Sequence, residues 1–225
     1  MTSTLLLRLQ APMQAWGVQS LFSSRDTCRE PTKSGVIGLL CCALGRQRNE
    51  PLDDLLDLKM GVRVDQEGHL LKDFQTARNI MNAAGKSDAN VISDRFYLCD
   101  AIFLVGLESD DSDLLIRLQE ALKHPAWLLY LGRRAFPPAK PVWLMDGLRK
   151  DETLEKALRN FPFLGNEHAY QEIETLRYVL EDSAGSMLQQ DAPRAFEPRA
   201  FALRSQSIHK IPKPERILQE VSDVS

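Results

Sequence analysis

The order strand, helix, strand, strand, helix, strand predicts an α+β fold. Two patterns support it: apolar residues at helical spacing from Val36 to Leu44, and the alternating run Met60, Val62, Val64. That order is the split βαβ of ferredoxin-like domains, which RNA-recognition domains share. The first strand is Thr4 to Gln10, leucine-rich and stopped by Pro12. An irregular stretch, Met13 to Pro31, follows. Thr32 or Ser34 caps the first helix, whose apolar face is Val36, Ile37, Leu39, Leu40, Ala43 and Leu44, and Gly45 ends it. A short helix is expected over Leu52 to Leu58.

Lys59 to Asp65 is the second core strand. Gln66, Glu67 and Gly68 form a turn, and Leu70 to Gln75 is expected to return as the other arm of a hairpin. Ala77 to Asp94 has little pattern, and a loop that long inside a domain usually has a task. Arg95 to Leu107 is expected as one long strand. Asp111 or Ser112 caps a helix to about Lys123, and a short strand spans Val142 to Met145. The pattern then changes: a helix at Thr153 to Asn160, a strand at Ile173 to Leu180, and short proline-punctuated stretches beyond Arg194. The expected division is therefore a ferredoxin-like domain over 1–149 and a small β-rich piece over 150–225 packed on it.

Net charge is −3, which taken alone argues against a nucleic-acid binder. The distribution argues the other way. Met1 to Arg48 holds six bases and two acids, Arg133 to Lys150 five and one, Arg194 to Arg216 six and two. Each segment is thus +4, while acids collect at Glu50 to Asp57 and Glu108 to Asp113, as a one-sided phosphate-binding surface requires. No apolar run is long enough to cross a bilayer, and Met1 to Arg8 lacks the marks of a signal peptide. Cys28, Cys41, Cys42 and Cys99 form no CxxC pair, so free thiols and a cytoplasmic location are expected.

No G-x-S-x-G, P-loop, G-x-G-x-x-G or H-E-x-x-H occurs, and no histidine has another histidine or a cysteine at helical spacing. No metal or other cofactor is expected. Lys123, His124 and Tyr130 are the one grouping that metal-independent RNA cleavage could use, and Lys and His also suit a helix C-terminus.

Three motifs carry binding chemistry. In the first, a strand runs into a loop with polar Gln14, stackable Trp16 and permissive Gly17; a stacked base is worth about 1–3 kcal/mol. A half-buried tryptophan at the core edge is the other reading. In the second, Arg25 and Arg29 precede a helix start carrying Thr32, Lys33 and Ser34, where free backbone N–H groups favour a phosphate. In the third, Tyr130-Leu-Gly-Arg-Arg134, Gly132 lets the backbone come close and Arg133 and Arg134 offer guanidinium forks.

The phrases Pro12-Met-Gln-Ala-Trp-Gly17, Pro31-Thr-Lys-Ser-Gly-Val-Ile-Gly38, Tyr97-Leu-Cys-Asp100 and Tyr130-Leu-Gly-Arg-Arg134 resemble, in order and spacing, the CasD subunits of Cascade. These are the fifth Cas family in its type I-E form, and the resemblance covers about residues 4–145 well. It implies a non-catalytic subunit of a CRISPR ribonucleoprotein that binds the 5′ handle of crRNA. It implies contact with the neighbouring backbone subunit and the large subunit, and with target DNA indirectly. The 77–95 insertion would be a thumb carrying Arg78, Met81 and Lys86. Thr32, Lys33, Ser34, Gly132, Arg133 and Arg134 would contact the handle, with Arg25, Arg29, Arg46, Arg48 and Arg95 in support. Related type I-C subunits cleave precursor crRNA, which keeps an endoribonuclease as the alternative.

Overall fold

Strand β1 (Ser3–Gln10) is buried on both faces along most of its length in the computed structural model, which describes residues 2–18, 23–81, 85 and 89–214. Successive side chains of a strand point to opposite faces. Leu5, Leu7 and Leu9 accordingly enter one core and Leu6 another. Continuing along the chain are β2 (Met13–Gln14), β3 (Ser24–Arg25), α1 (Lys33–Leu44), α2 (Asp53–Leu56) and β4 (Lys59–Gln66). Then come β5 (His69–Ile80), β6 (Ala89–Cys99), β7 (Ile102–Ser109), α3 (Ser112–Lys123) and β8 (Trp143–Arg149). The last elements are α4 (Leu154–Asn160), α5 (Glu167–Glu172), β9 (Thr175–Glu181), β10 (Met187–Phe196) and β11 (Arg199–Pro212).

Seven strands form one sheet in the order β10-β11-β9-β4-β7-β1-β8, with each adjacent pair antiparallel. The fold is therefore mixed, with a large antiparallel sheet and few helices. Helices α1 and α3 cover one face, through Ile37 and Leu40 and through Leu115 and Leu118. Helix α4 covers the other, setting Leu154, Ala157 and Leu158 on Leu6, Leu104 and Tyr178. Gly106 lets α4 lie that close: a Cβ there would strike the Leu154 side chain. Arg63, fully buried, fixes the end of α4. It pairs with Asp65 at 2.6 and 2.8 Å and donates to the carbonyls of Leu158, Phe161 and Pro162.

Three expectations need correction. The β4–β5 hairpin does not form, because both edges of β4 are taken, by β7 and by β9. Gly68, at φ +70, turns the chain out of that sheet, and β5 pairs with β6 in a second sheet with β2 and β3. The long strand Arg95 to Leu107 is broken at Asp100, a left-handed residue (φ +59) whose N–H donates to the Pro12 carbonyl at 3.1 Å. The expected loop over 77–94 is mostly strand: β5 runs on to Ile80 and β6 starts at Ala89. Most of its described side chains are exposed, with only Ser93 buried, so no burial alternation marks it in the sequence. The strands found after residue 150 continue the sheet beyond β4, so that segment shares its sheet with the one before it. Helix α5 carries no buried residue and left no apolar pattern to read.

Candidate nucleic-acid interface

The start of α1 is already occupied. Thr32 caps it, its Oγ1 accepting from the Gly35 N–H at 3.2 Å. The Lys33 N–H donates to Asp191 Oδ2 at 2.8 Å, and Lys33 Nζ sits 3.0 Å from both carboxylate oxygens of Glu181. Asp191 is in turn held by Arg204 Nε and Nη2 at 2.9 and 2.7 Å. The expected phosphate seat at Thr32 and Lys33 is thus filled by carboxylates from β9 and β10, and Lys33 is only 4% exposed. Nothing local to residues 31–38 signals acids so distant in sequence.

Gln14 and Trp16 are core residues. Gln14 donates to the Ala101 carbonyl at 2.7 Å and accepts from Trp16 Nε1 at 3.2 Å. Trp16 is 1% exposed and its ring lies against Gly35, so it presents no face to a stacking base. The Met13–Gln14 segment pairs with Cys99 and Leu98, which fixes it against the protein and leaves Gln14 buried and Met13 exposed.

The glycine loop is built onto the same segment. The Ala15 N–H donates to the Leu131 carbonyl at 3.2 Å, and the Leu131 N–H donates to the Phe136 carbonyl at 2.8 Å. Gly132 has φ +89, and a Cβ there would collide with the Ala15 carbonyl oxygen. This places Arg133 so that Nη2 donates to the carbonyls of Phe96, at 2.9 Å, and Arg25, at 3.2 Å. Arg25 and Arg95 are register partners on the parallel pair β3 and β6. Three arginines distant in sequence are therefore brought close to one another. Burial, together with Arg95 and Arg25, lowers the Arg133 pKa from its ordinary value, Tyr97 and Asp26 acting in opposition. Arg134 is exposed, and its charge acts on the Cys42 thiol.

Next to the loop lies a cleft of about 240 Å³. It gathers five of the expected residues, Ser34, Arg46, Arg48, Tyr130 and Gly132. It also gathers three not singled out, Trp127, Phe196 and Arg199. Trp127 is an exposed aromatic, and Arg199 belongs to the basic run after Arg194, but no local motif ties them to Ser34. Arg46 is not free here: it is locked on Asp54 at 2.6 and 2.8 Å, and those hydrogen bonds raise its pKa. Arg48 and Arg199 are exposed and hold no carboxylate among the described residues. Arg29 is exposed on the approach to α1, and Arg78 and Met81 are exposed on the β5–β6 arm. Lys86 lies outside the described residues.

The nucleophile inventory is poor. Lys123 Nζ is bound to Glu120 at 2.6 Å and covers the Trp143 ring. His124 closes α3, and neither it nor Lys123 lines the cleft of Tyr130. Burial pushes the Cys28 thiol up to about 12 and Cys41 up to about 11, so neither supplies thiolate. Among the described residues, no group of three or more His, Cys, Asp or Glu could hold a metal ion, and no helix is long and apolar enough to cross a membrane.

A mixed scaffold that brings arginines from three segments together beside a glycine loop defines the class: an α/β protein with a local basic patch on its surface. The family described as CRISPR-associated protein (Cas_Cas5) matches residues 4–207. The CRISPR system Cascade subunit CasD of Escherichia coli (strain K12) is 34% identical over 220 residues, 91% of this chain and 94% of that one. A solved structure described as a Cas protein shares 42% identity at TM-score 0.77, over 94% of this chain and 98% of its own. A chain of a CRISPR RNA-guided surveillance complex shares 31% identity at TM-score 0.78, over 94% and 91%. This chain belongs to the CRISPR-associated Cas5 family.

Proposed function

We propose that the chain is a non-catalytic subunit of a Cascade-type CRISPR RNA-guided surveillance complex and that its basic surface holds the 5′ handle of crRNA. The observation that carries this reading is the meeting of Arg25, Arg95 and Arg133 beside the glycine loop. Three like charges held together gain most from an anion that bridges them, and a folded RNA strand supplies successive phosphates at that scale. Arg134 and the cleft with Arg48, Tyr130 and Trp127 extend the surface, offering further phosphate contacts and an aromatic edge for a base.

The scaffold fits the role. Strands β8-β1-β7-β4, with α1 and α3 on one face, have the order of a ferredoxin-like domain. The β5–β6 arm is its thumb, reaching the neighbouring backbone subunit with exposed Leu71, Phe74, Arg78 and Met81. The large subunit and, through the assembled complex, target DNA complete the set of partners, and the complex works in the cytoplasm.

The test is co-expression of the full chain with its genomic neighbours and a repeat-spacer transcript, followed by sequencing of co-purified RNA. Arg25→Gln with Arg95→Gln is the chosen variant, since Arg133 also braces backbone carbonyls. The wild type is expected to bring down short RNAs sharing one repeat-derived 5′ end. The variant should recover roughly tenfold less, as expected when about two charged phosphate contacts are lost. Equal recovery would remove these arginines from the interface. Trimming of a repeat transcript by the chain alone would overturn the non-catalytic reading.

A further inference from the structure

Strand β1 changes character along its second face. Leu6 lies under α4, but the next residues on that face, Arg8 and Gln10, are polar. They line a cleft of about 1230 Å³ with parts of β8 and the 160–166 segment. It opens on the sheet face opposite α1 and α3, and shares no residue with the Tyr130 cleft or the Arg25–Arg95–Arg133 cluster.

Apart from Arg133 on the first surface, the other arginines most withdrawn from water are matched by acids: Arg63 by Asp65, Arg204 by Asp191, Arg177 by Glu30 and Glu67. Arg8 is not. It is half-buried, which lowers its pKa from the ordinary guanidinium value, yet among the described residues its side chain has only a long bond, 3.4 Å, from Nε to the Pro141 carbonyl. Lys140, also on the cleft, holds no carboxylate among the described residues. The third cation, Arg149, is held by Glu152 at 2.8 Å, and the acids of the cleft are Asp100 and Asp146. Gln66 completes the picture. Its Nε2 donates to the Asp100 carbonyl, while its Oε1 is the one buried side-chain polar atom among the described residues without a partner. A buried acceptor left unmatched calls for a donor.

We propose that this cleft is a second nucleic-acid site, in which Arg8 and Lys140 take a phosphate of a single strand and the Gln66 amide, turning its buried Oε1 toward the cleft, accepts a hydrogen bond from the adjoining base or ribose. A peptide is the poorer fit, because Leu144, Phe161 and Phe163 are already buried in the second core and leave few apolar pockets for side chains. The strand is RNA if the donor is a ribose 2′-hydroxyl, and either RNA or DNA if it is a base amine.

The test uses the full chain carrying Arg25→Gln and Arg95→Gln, so that the first surface is disabled. Fluorescein-labelled 12-nucleotide RNA and DNA of one sequence are titrated by anisotropy across a KCl series. Residual binding is expected, and adding Arg8→Gln should weaken it roughly fivefold, the scale of one partly exposed ion pair. The slope of log K against log salt should flatten by about 0.7 for each phosphate contact removed. Lys140→Gln, at an exposed position where folding is not at stake, should do the same. Loss with RNA alone supports a ribose contact, and equal loss with both supports recognition through phosphate and base. Absence of residual binding, or an unchanged slope in both added variants, overturns the second site. Undiminished binding in the Arg25→Gln, Arg95→Gln background would instead count against the first surface.

Discussion

Gly132 couples the glycine loop to the rest of the interface. Its left-handed backbone and the Ala15 carbonyl oxygen exclude a side chain, and the same turn aims Arg133 at the carbonyls of Arg25 and Phe96. Gly132→Ala is expected to cost about 1–3 kcal/mol in urea unfolding, from strain at a positive φ. It should also weaken RNA binding by displacing Arg133. Wild-type stability in that variant would mean that the loop can shift away from Ala15. The sequence shows that a permissive glycine stands before two arginines. It does not show what the glycine touches, because Ala15, just after β2, lies far away in the chain. Trp16 makes the complementary point. A tryptophan among polar residues fits a stacking platform or a core edge equally well, and what decided for the core was the hydrogen bond to Gln14 and the glycine at position 35.

Helix α1 separates what is local from what is not. Its caps, Thr32 and Gly45, are legible because capping is decided within a few residues. The partners of Lys33 are illegible because β9 and β10 bring Glu181 and Asp191 to the helix from the far end of the chain. The same limit hid the pairing of β5 with β6, since alternation says that a strand exists and not which edge is vacant. Asp191 now has a role that can be measured: it joins the α1 backbone to buried Arg204 and so fastens the C-terminal hairpin to the helix. Asp191→Ala leaves Arg204 buried without its partner, a loss on the order of 3–5 kcal/mol. Chemical denaturation should record that loss. A change below about 1 kcal/mol would show that the hairpin is held by its apolar packing alone, Phe196 against Gly38 included.

At the scale of the molecule, the order of the core elements was readable because strand, helix and turn signals are short-ranged, whereas the extension of the sheet through β9, β11 and β10 depends on edges that form only once the chain has folded. The β5–β6 arm is where the surface departs furthest from that of a self-sufficient domain. Leu70, Phe74 and Ile92 stand exposed on one face of it and Leu71 and Val91 on the other, and a concentration of exposed apolar residues marks an interaction surface. The arm contributes little to the cores of the free chain, whose buried residues lie around α1, α3 and α4. Removing its apolar side chains should therefore separate assembly from folding. Leu71→Ser with Phe74→Ser is expected to change the stability of the isolated chain by no more than about 0.5 kcal/mol, the ordinary range for surface positions. In co-expression with the other subunits and crRNA, the fraction of the chain that elutes with the large complex should fall at least about tenfold, since two apolar anchors of an interface are lost. An unchanged elution profile would mean that the arm does not dock. Unfolding of the isolated variant would mean that the arm supports the fold, and both outcomes would end its reading as a thumb.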